Sequence, residues 1–198
     1  MARDLVQGSV ERPLGPFLPG PLEFSFGPIE METPQGRKWN LRGRIDRIDL
    51  AQSGLDEPDG LEGTPALVID YKTGDVGGRK KADLEKHGRV QMPLYLHAIP
   101  LTEEGDGLRL LGGLYFSLKD GERRGAFDPG LLSIAKEAGL KANDGKNGSL
   151  ENWVSEGLVI AGRAMDQLLA GEIDHGPTEC RQHFDHPAIP ATPERGEG

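Results

Sequence analysis

The sequence predicts an α/β domain, on the border with α+β, in which helices pack on a central sheet. Three observations carry this. Strand-like runs occupy residues 22–26, 38–50 and 66–72; a helical segment near 89–100 separates them from further strands at 108–118 and 123–127; and a long helical stretch fills 149–171. Strands, then a helix, then strands and a helix again is the order of a layered sheet.

Leu22-Glu23-Phe24-Ser25-Phe26 alternates apolar and polar residues, as a half-buried strand does, with Gly27-Pro28 breaking it or making a bulge. Pro34-Gln35-Gly36 is a turn signal, so the long strand from Lys38 to Leu50 should run antiparallel to the first. Residues 51–65 hold Gly, Asp, Glu and Pro with little apolar content, which reads as a surface loop before the strand Ala66–Lys72. A helix should begin near Arg89, with Pro93 in its first turn, where a missing N–H does little harm, and should end at Pro100. Lys119-Asp120-Gly121-Glu122 reads as a hairpin turn into Arg123–Phe127, Leu131–Ala138 as a short helix and 143–148 as a loop. Ser149 should cap a helix with an apolar face of Trp153, Ile160, Ala164, Met165 and Leu168, ending at Gly171. Residues 1–20 read as an irregular lead-in, 21–175 as the domain and 176–198 as a polar, disordered tail.

At 198 residues the chain suits one domain with a proper core, and its 29 Gly and 15 Pro give many turns without thinning the apolar blocks. The single cysteine, Cys180, excludes an internal disulfide and fits a reducing compartment. No apolar run approaches a membrane span, and Met1-Ala2-Arg3-Asp4 opens no signal peptide, so a cytoplasmic location with no membrane partner is expected. The net charge of −9 argues against a free-standing, tight nucleic-acid binder, because affinity for phosphates comes mostly from Lys and Arg. Distribution softens this: Arg42, Arg44 and Arg47 flank Asp46, and Arg79, Lys80, Lys81, Lys86 and Arg89 form a second basic run, either a rim around an acidic site or ordinary solvated faces.

The chemistry gathers in three pieces: Gly43-Arg44-Ile45-Asp46-Arg47-Ile48-Asp49, then Asp70-Tyr71-Lys72, then Gln91 and Tyr95. Residues two apart in a strand share a face, so Asp70 and Lys72 point the same way and Tyr71 points to the other side, into the core. A carboxylate can hold a hard divalent cation through oxygen, and an adjacent ammonium can stabilise charge on an attacking water or a phosphoryl oxygen. Asp46 would supply a second carboxylate; taken alone, it also reads as a simple ion-pair partner of Arg44 or Arg47. Asp49 falls on the face opposite Asp46 and is read as support through a hydrogen bond or ion pair. Gln91 and Tyr95, four apart, share a helix face, and Tyr95 equally suits packing, its hydroxyl finding a polar partner near the site.

In this order and setting the three pieces resemble the PD-(D/E)XK nuclease superfamily, and within it the RecB-like and AddB-like nuclease domains of bacterial helicase–nuclease complexes. The resemblance runs from Glu23-Phe24-Ser25-Phe26-Gly27 to about Gly171. It implies a restriction-endonuclease-like fold, a mixed central sheet flanked by helices. It implies that Asp46, Asp70 and the backbone carbonyl of Tyr71 bind Mg2+ or Mn2+, that Lys72 is the catalytic lysine, and that Gln91, Tyr95 and Arg44 contact and position DNA. The implied activity is phosphodiester hydrolysis, as an exonuclease in DNA repair and recombination, with a helicase as partner. The alternative is a catalytically impaired domain of the same fold that binds DNA or braces a helicase complex.

Two departures stand out. RecB-like domains usually carry an upstream histidine that completes the metal site, and no histidine precedes His87 here; either an N-terminal part is missing or another group or water takes its place. Several relatives also hold an iron–sulfur cluster on late cysteines, whereas Cys180 alone cannot, so no cluster is expected. Cys180, His183 and His186 have the spacing of zinc ligands, with His175 or Asp185 as a fourth donor; the other readings are a remnant of the cluster region or a plain polar tail.

Overall fold

The run Ala66-Leu67-Val68-Ile69 is apolar without a break, the pattern of a strand buried on both faces. In the computed structural model, which describes residues 16–52, 63–74, 76, 89–128, 141–142 and 150–172, it lies in the middle of a mixed sheet. The strands are β1 (Phe17–Glu32), β2 (Lys38–Ala51), β3 (Thr64–Lys72), β4 (Leu108–Ser117), β5 (Arg123–Phe127) and the two-residue β6 (Lys141–Ala142), in spatial order β1-β2-β3-β4-β5-β6. Neighbours are antiparallel except β3–β4 and β5–β6, which are parallel. Helix α1 (Gln91–Ala98), followed by a 3-10 turn at Ile99–Leu101, lies on the crossover between β3 and β4; α2 (Leu150–Leu169) follows β6.

Alternation along β3 divides its apolar residues between two cores. Ala66 and Val68 join Ile48, Met92, Tyr95, Leu96 and Trp153 on the helix side, while Leu67 and Ile69 join Phe17, Leu114, Phe116 and Phe127 on the other. This is a restriction-endonuclease-like α/β architecture. Among the described residues no helix is long and apolar enough to cross a membrane.

The strands exceed the sequence expectation mainly at the start. β1 begins at Phe17, inside the stretch read as irregular lead-in, and absorbs its prolines through register shifts at Pro19/Leu22 and Phe26/Ile29. A β1 strand that lies at one end of the sheet tolerates such interruptions, because proline forfeits a ladder bond only where a neighbour would accept it. The helix at 131–138, the loop at 143–148, the Ser149 cap, most of the basic run 79–89 and the tail fall outside the described residues.

Helix α2 corrects the expected apolar face. Ala164 is exposed and Leu168 is 54% exposed, whereas Trp153, Gly157, Ala161, Gly162 and Asp166 are buried. Close approach, not side-chain size, selects this stripe. A Cβ on Gly157 would collide with Pro93 Cβ, and one on Gly113 of β4 would collide with Met92 Sδ, so α1 is seated between two glycines. Asp166 is buried because the turn between β1 and β2 folds onto it: the Thr33 hydroxyl donates to Oδ1 at 2.5 Å, the Gln35 N–H to Oδ2 at 3.2 Å, and Arg37 Nη1 to the Asp166 carbonyl at 2.7 Å.

Gly157→Val should therefore overpack the α1–α2 contact and cost about 1–3 kcal/mol in chemical denaturation. A variant as stable as the wild type would show that the helices do not meet this closely.

Candidate active site

Antiparallel pairing of β2 and β3 runs from Leu50↔Ala66 to Arg47↔Ile69. One further step would set Asp46 against Asp70, and a second would set Ile45 against Tyr71. The ladder stops instead, and the Asp46 carboxylate accepts the Tyr71 N–H at 2.8 Å through Oδ2. Within a strand the N–H and C=O of one residue point to the same side. The Tyr71 carbonyl therefore faces the Asp46 side, while the next carbonyl, that of Lys72, turns the other way to accept the Leu118 N–H at 2.7 Å. Two carboxylates and one backbone carbonyl thus converge at the carboxyl end of β3, the end of a parallel strand where α/β sheets place their ligands.

Asp70 is buried, with its side chain 4% exposed, and Lys72 reaches the surface at 35%. Their Nζ and Oδ2 stand 2.5 Å apart. The contact is ionic and its angle lies outside hydrogen-bond geometry, so Asp70 Oδ2 is a buried oxygen with no hydrogen-bond donor. Burial raises the Asp70 pKa above the usual carboxylate range, Lys72 pulls it back, and the charge of Asp46 pushes it up again.

Lys72 is also the first member of a directed chain. Its ammonium, which can only donate, meets Gln91 Oε1 at 2.5 Å. That fixes the Gln91 amide, whose Nε2 then donates to the Tyr95 hydroxyl at 2.7 Å, and the hydroxyl in turn donates to the Arg44 carbonyl at 2.8 Å. One turn of α1 therefore ties the end of β3 to the middle of β2. Burial lifts the pKa of Tyr95, and its ring packs edge-on to Phe26 at 5.9 Å.

The other candidates are placed as follows. The Arg44 side chain is exposed, 3.6 Å from Glu23. Asp49 is fully buried on the reverse face, bound to Arg47 through both carboxylate oxygens. Tyr71 also lies on that face, against Phe116, and accepts from Arg47 Nη1 at 3.0 Å. Cys180, His183 and His186 fall outside the described residues, as do His175, Asp185 and His87. His97 is half-buried on α1, and burial lowers its pKa.

Tyr115 joins the site without any signal in the sequence. It pairs with Asp70 across β3–β4, lies under Lys72 with its ring centre 5.6 Å from Nζ, and accepts the Met92 N–H at the start of α1 at 3.2 Å. Burial drives its pKa well above the tyrosine range. Only the parallel pairing brings it to the site, and nothing local in Leu114-Tyr115-Phe116 announces that.

A divalent cation fits this arrangement. An orphaned buried carboxylate oxygen, a second carboxylate and a backbone carbonyl make an all-oxygen donor set. Mg2+ is commonly held by only one or two carboxylates, keeping several waters.

A model of the PD-(D/E)XK nuclease superfamily matches residues 2–182 of the chain. Similar proteins include three that are named as the B-type subunit of an ATP-dependent helicase/deoxyribonuclease. That of Clostridium tetani (strain Massachusetts / E88) is 30% identical over 174 residues, 81% of this chain and 13% of the relative. That of Clostridium botulinum (strain Langeland / NCTC 10281 / Type F) is 32% identical over 182 residues, 85% of this chain and 14% of the relative. That of Moorella thermoacetica (strain ATCC 39073 / JCM 9320) is 34% identical over 119 residues, 54% of this chain and 9% of the relative. The chain thus spans about one seventh of the length of the first two relatives.

The raised Asp70 pKa has a sign that can be measured without metal. A carboxyl whose pKa is higher folded than unfolded favours the fold when protonated, below its ordinary value of 3.8, and loses that advantage as pH rises through the folded value. Asp70→Asn should therefore raise the Tm of the metal-free protein at neutral pH, with the difference closing below about pH 4. A lowered Tm at pH 7 would mean that the Lys72 ion pair outweighs desolvation.

Proposed function

Because the chain belongs to the PD-(D/E)XK nuclease superfamily, we propose that it hydrolyses DNA phosphodiester bonds with Mg2+ or Mn2+, as the exonuclease part of a helicase–nuclease assembly in cytoplasmic DNA repair and recombination. The observation that carries this reading is the stop in the β2–β3 ladder that leaves Asp46 and Asp70 facing each other beside Lys72. The names of the relatives support the helicase partner and the DNA substrate. The net charge of −9 fits an enzyme that relies on a partner for much of its hold on DNA.

Asp46, Asp70 and the Tyr71 carbonyl are the groups that would hold the ion, which when bound lowers the pKa of a coordinated water and neutralises charge on the scissile phosphate. Lys72 carries the remaining work. Its ammonium is held by Asp70 and Gln91 and is partly open to solvent, so it can donate to the attacking water or to an oxygen gaining charge in the transition state. Gln91 and Tyr95 keep that ammonium in place, and exposed Arg44 offers a guanidinium to a phosphate along the strand.

The test is cleavage of end-labelled single- and double-stranded DNA with Mg2+ or Mn2+. Lys72→Ala and Asp70→Ala should each lose activity by about 10^2-fold or more while unfolding cooperatively. Either variant cutting at the wild-type rate would remove the assignment.

A further inference from the structure

Arg47 and Asp49 form an ion pair inside the sheet, with side chains 3% and 0% exposed. A buried pair of this kind costs desolvation and commonly adds little stability over an apolar pair of the same volume, so its presence asks for another explanation. Its position gives one. Arg47 directly follows Asp46 but points to the reverse face, and its Nη1 donates to the Tyr71 hydroxyl at 3.0 Å. Asp46 binds the amide of that same tyrosine on the front, at 2.8 Å.

Tyr71 is therefore held by β2 at both ends, beyond the last backbone pair of the ladder, at Arg47↔Ile69. We infer that the Arg47–Asp49 pair and the Tyr71 hydroxyl form a clamp on the reverse face of the sheet that sets the distance between the Asp46 and Asp70 carboxylates, making these three positioning residues for the cation site. Asp49 aligns the guanidinium through two parallel bonds and so aims Nη1 at Tyr71. The tyrosine ring, edge-on to Phe116 at 5.6 Å, cannot swing away. With the hydroxyl held, the Tyr71 amide and carbonyl stay turned toward Asp46. The clamp rests on the reading of Asp46 and Asp70 as cation ligands.

Tyr71→Phe keeps the ring and removes only the hydroxyl. Measured by calorimetry with Mn2+ alone, its dissociation constant should be about tenfold weaker than that of the wild type, as expected when an outer-shell partner is lost. Amide hydrogen exchange at residue 71 should speed up while amides of α2 stay unchanged. A merely structural tyrosine would lower Tm without moving the Mn2+ constant, so an affinity within twofold of the wild type overturns the clamp. If the wild type itself takes up no Mn2+, the cation reading falls first and the clamp with it. Should Tyr71→Phe unfold, Arg47→Lys, which keeps the charge but cannot span Asp49 and Tyr71 together, carries the same expectation.

Discussion

The hydrogen bond from the Tyr71 N–H to the Asp46 carboxylate marks the place where one sheet stops being a sheet and becomes a site. Had the β2–β3 register continued, Asp46 and Asp70 would stand directly opposite as like charges, which a strand pair disfavours. Ending the ladder relieves that conflict in part and leaves the two acids at an opening between strands. The remaining conflict stays in Asp70, buried and harder to ionise than an ordinary carboxyl. Local choices that work against folding but suit a charged ligand are what a functional site shows when the rest of the structure can support it.

That support comes from tight packing. Helix α1 must come close enough to β3 for the Gln91 amide to meet Lys72, and it does so because Gly113 admits Met92 below and Gly157 admits Pro93 above. The chain of donors from Lys72 through Gln91 and Tyr95 to the Arg44 carbonyl then has a single consistent direction, since ammonium donates only and carbonyl accepts only. A fixed ammonium loses less freedom when it later engages a charged group.

Much of this is legible in the residues. The unbroken Ala66–Ile69 run marks a central strand, and period-two alternation puts Asp70 and Lys72 together with Tyr71 behind them. Four-residue spacing puts Gln91 beside Tyr95 on one turn. Relative placement is what local pattern does not carry. Opposition of Asp46 and Asp70 depends on the register of two strands separated by residues 51–65, and Tyr115 reaches the site only through parallel pairing with Asp70. The buried face of α2 departs from the expected one because large apolar residues signal burial by solvent transfer, whereas Gly157, Gly162 and Asp166 are buried by close backbone approach and by the turn around Thr33.

Whether Asp46, Asp70 and the Tyr71 carbonyl face one cation position at the end of the ladder is tested most directly by a crystal of the protein soaked in Mn2+ and measured at a wavelength where manganese scatters anomalously. The expected result is a peak bridging the Asp46 and Asp70 carboxylates, lost in Asp46→Asn. A peak seated instead on Cys180, His183 and His186, or none at the end of β3, would contradict it.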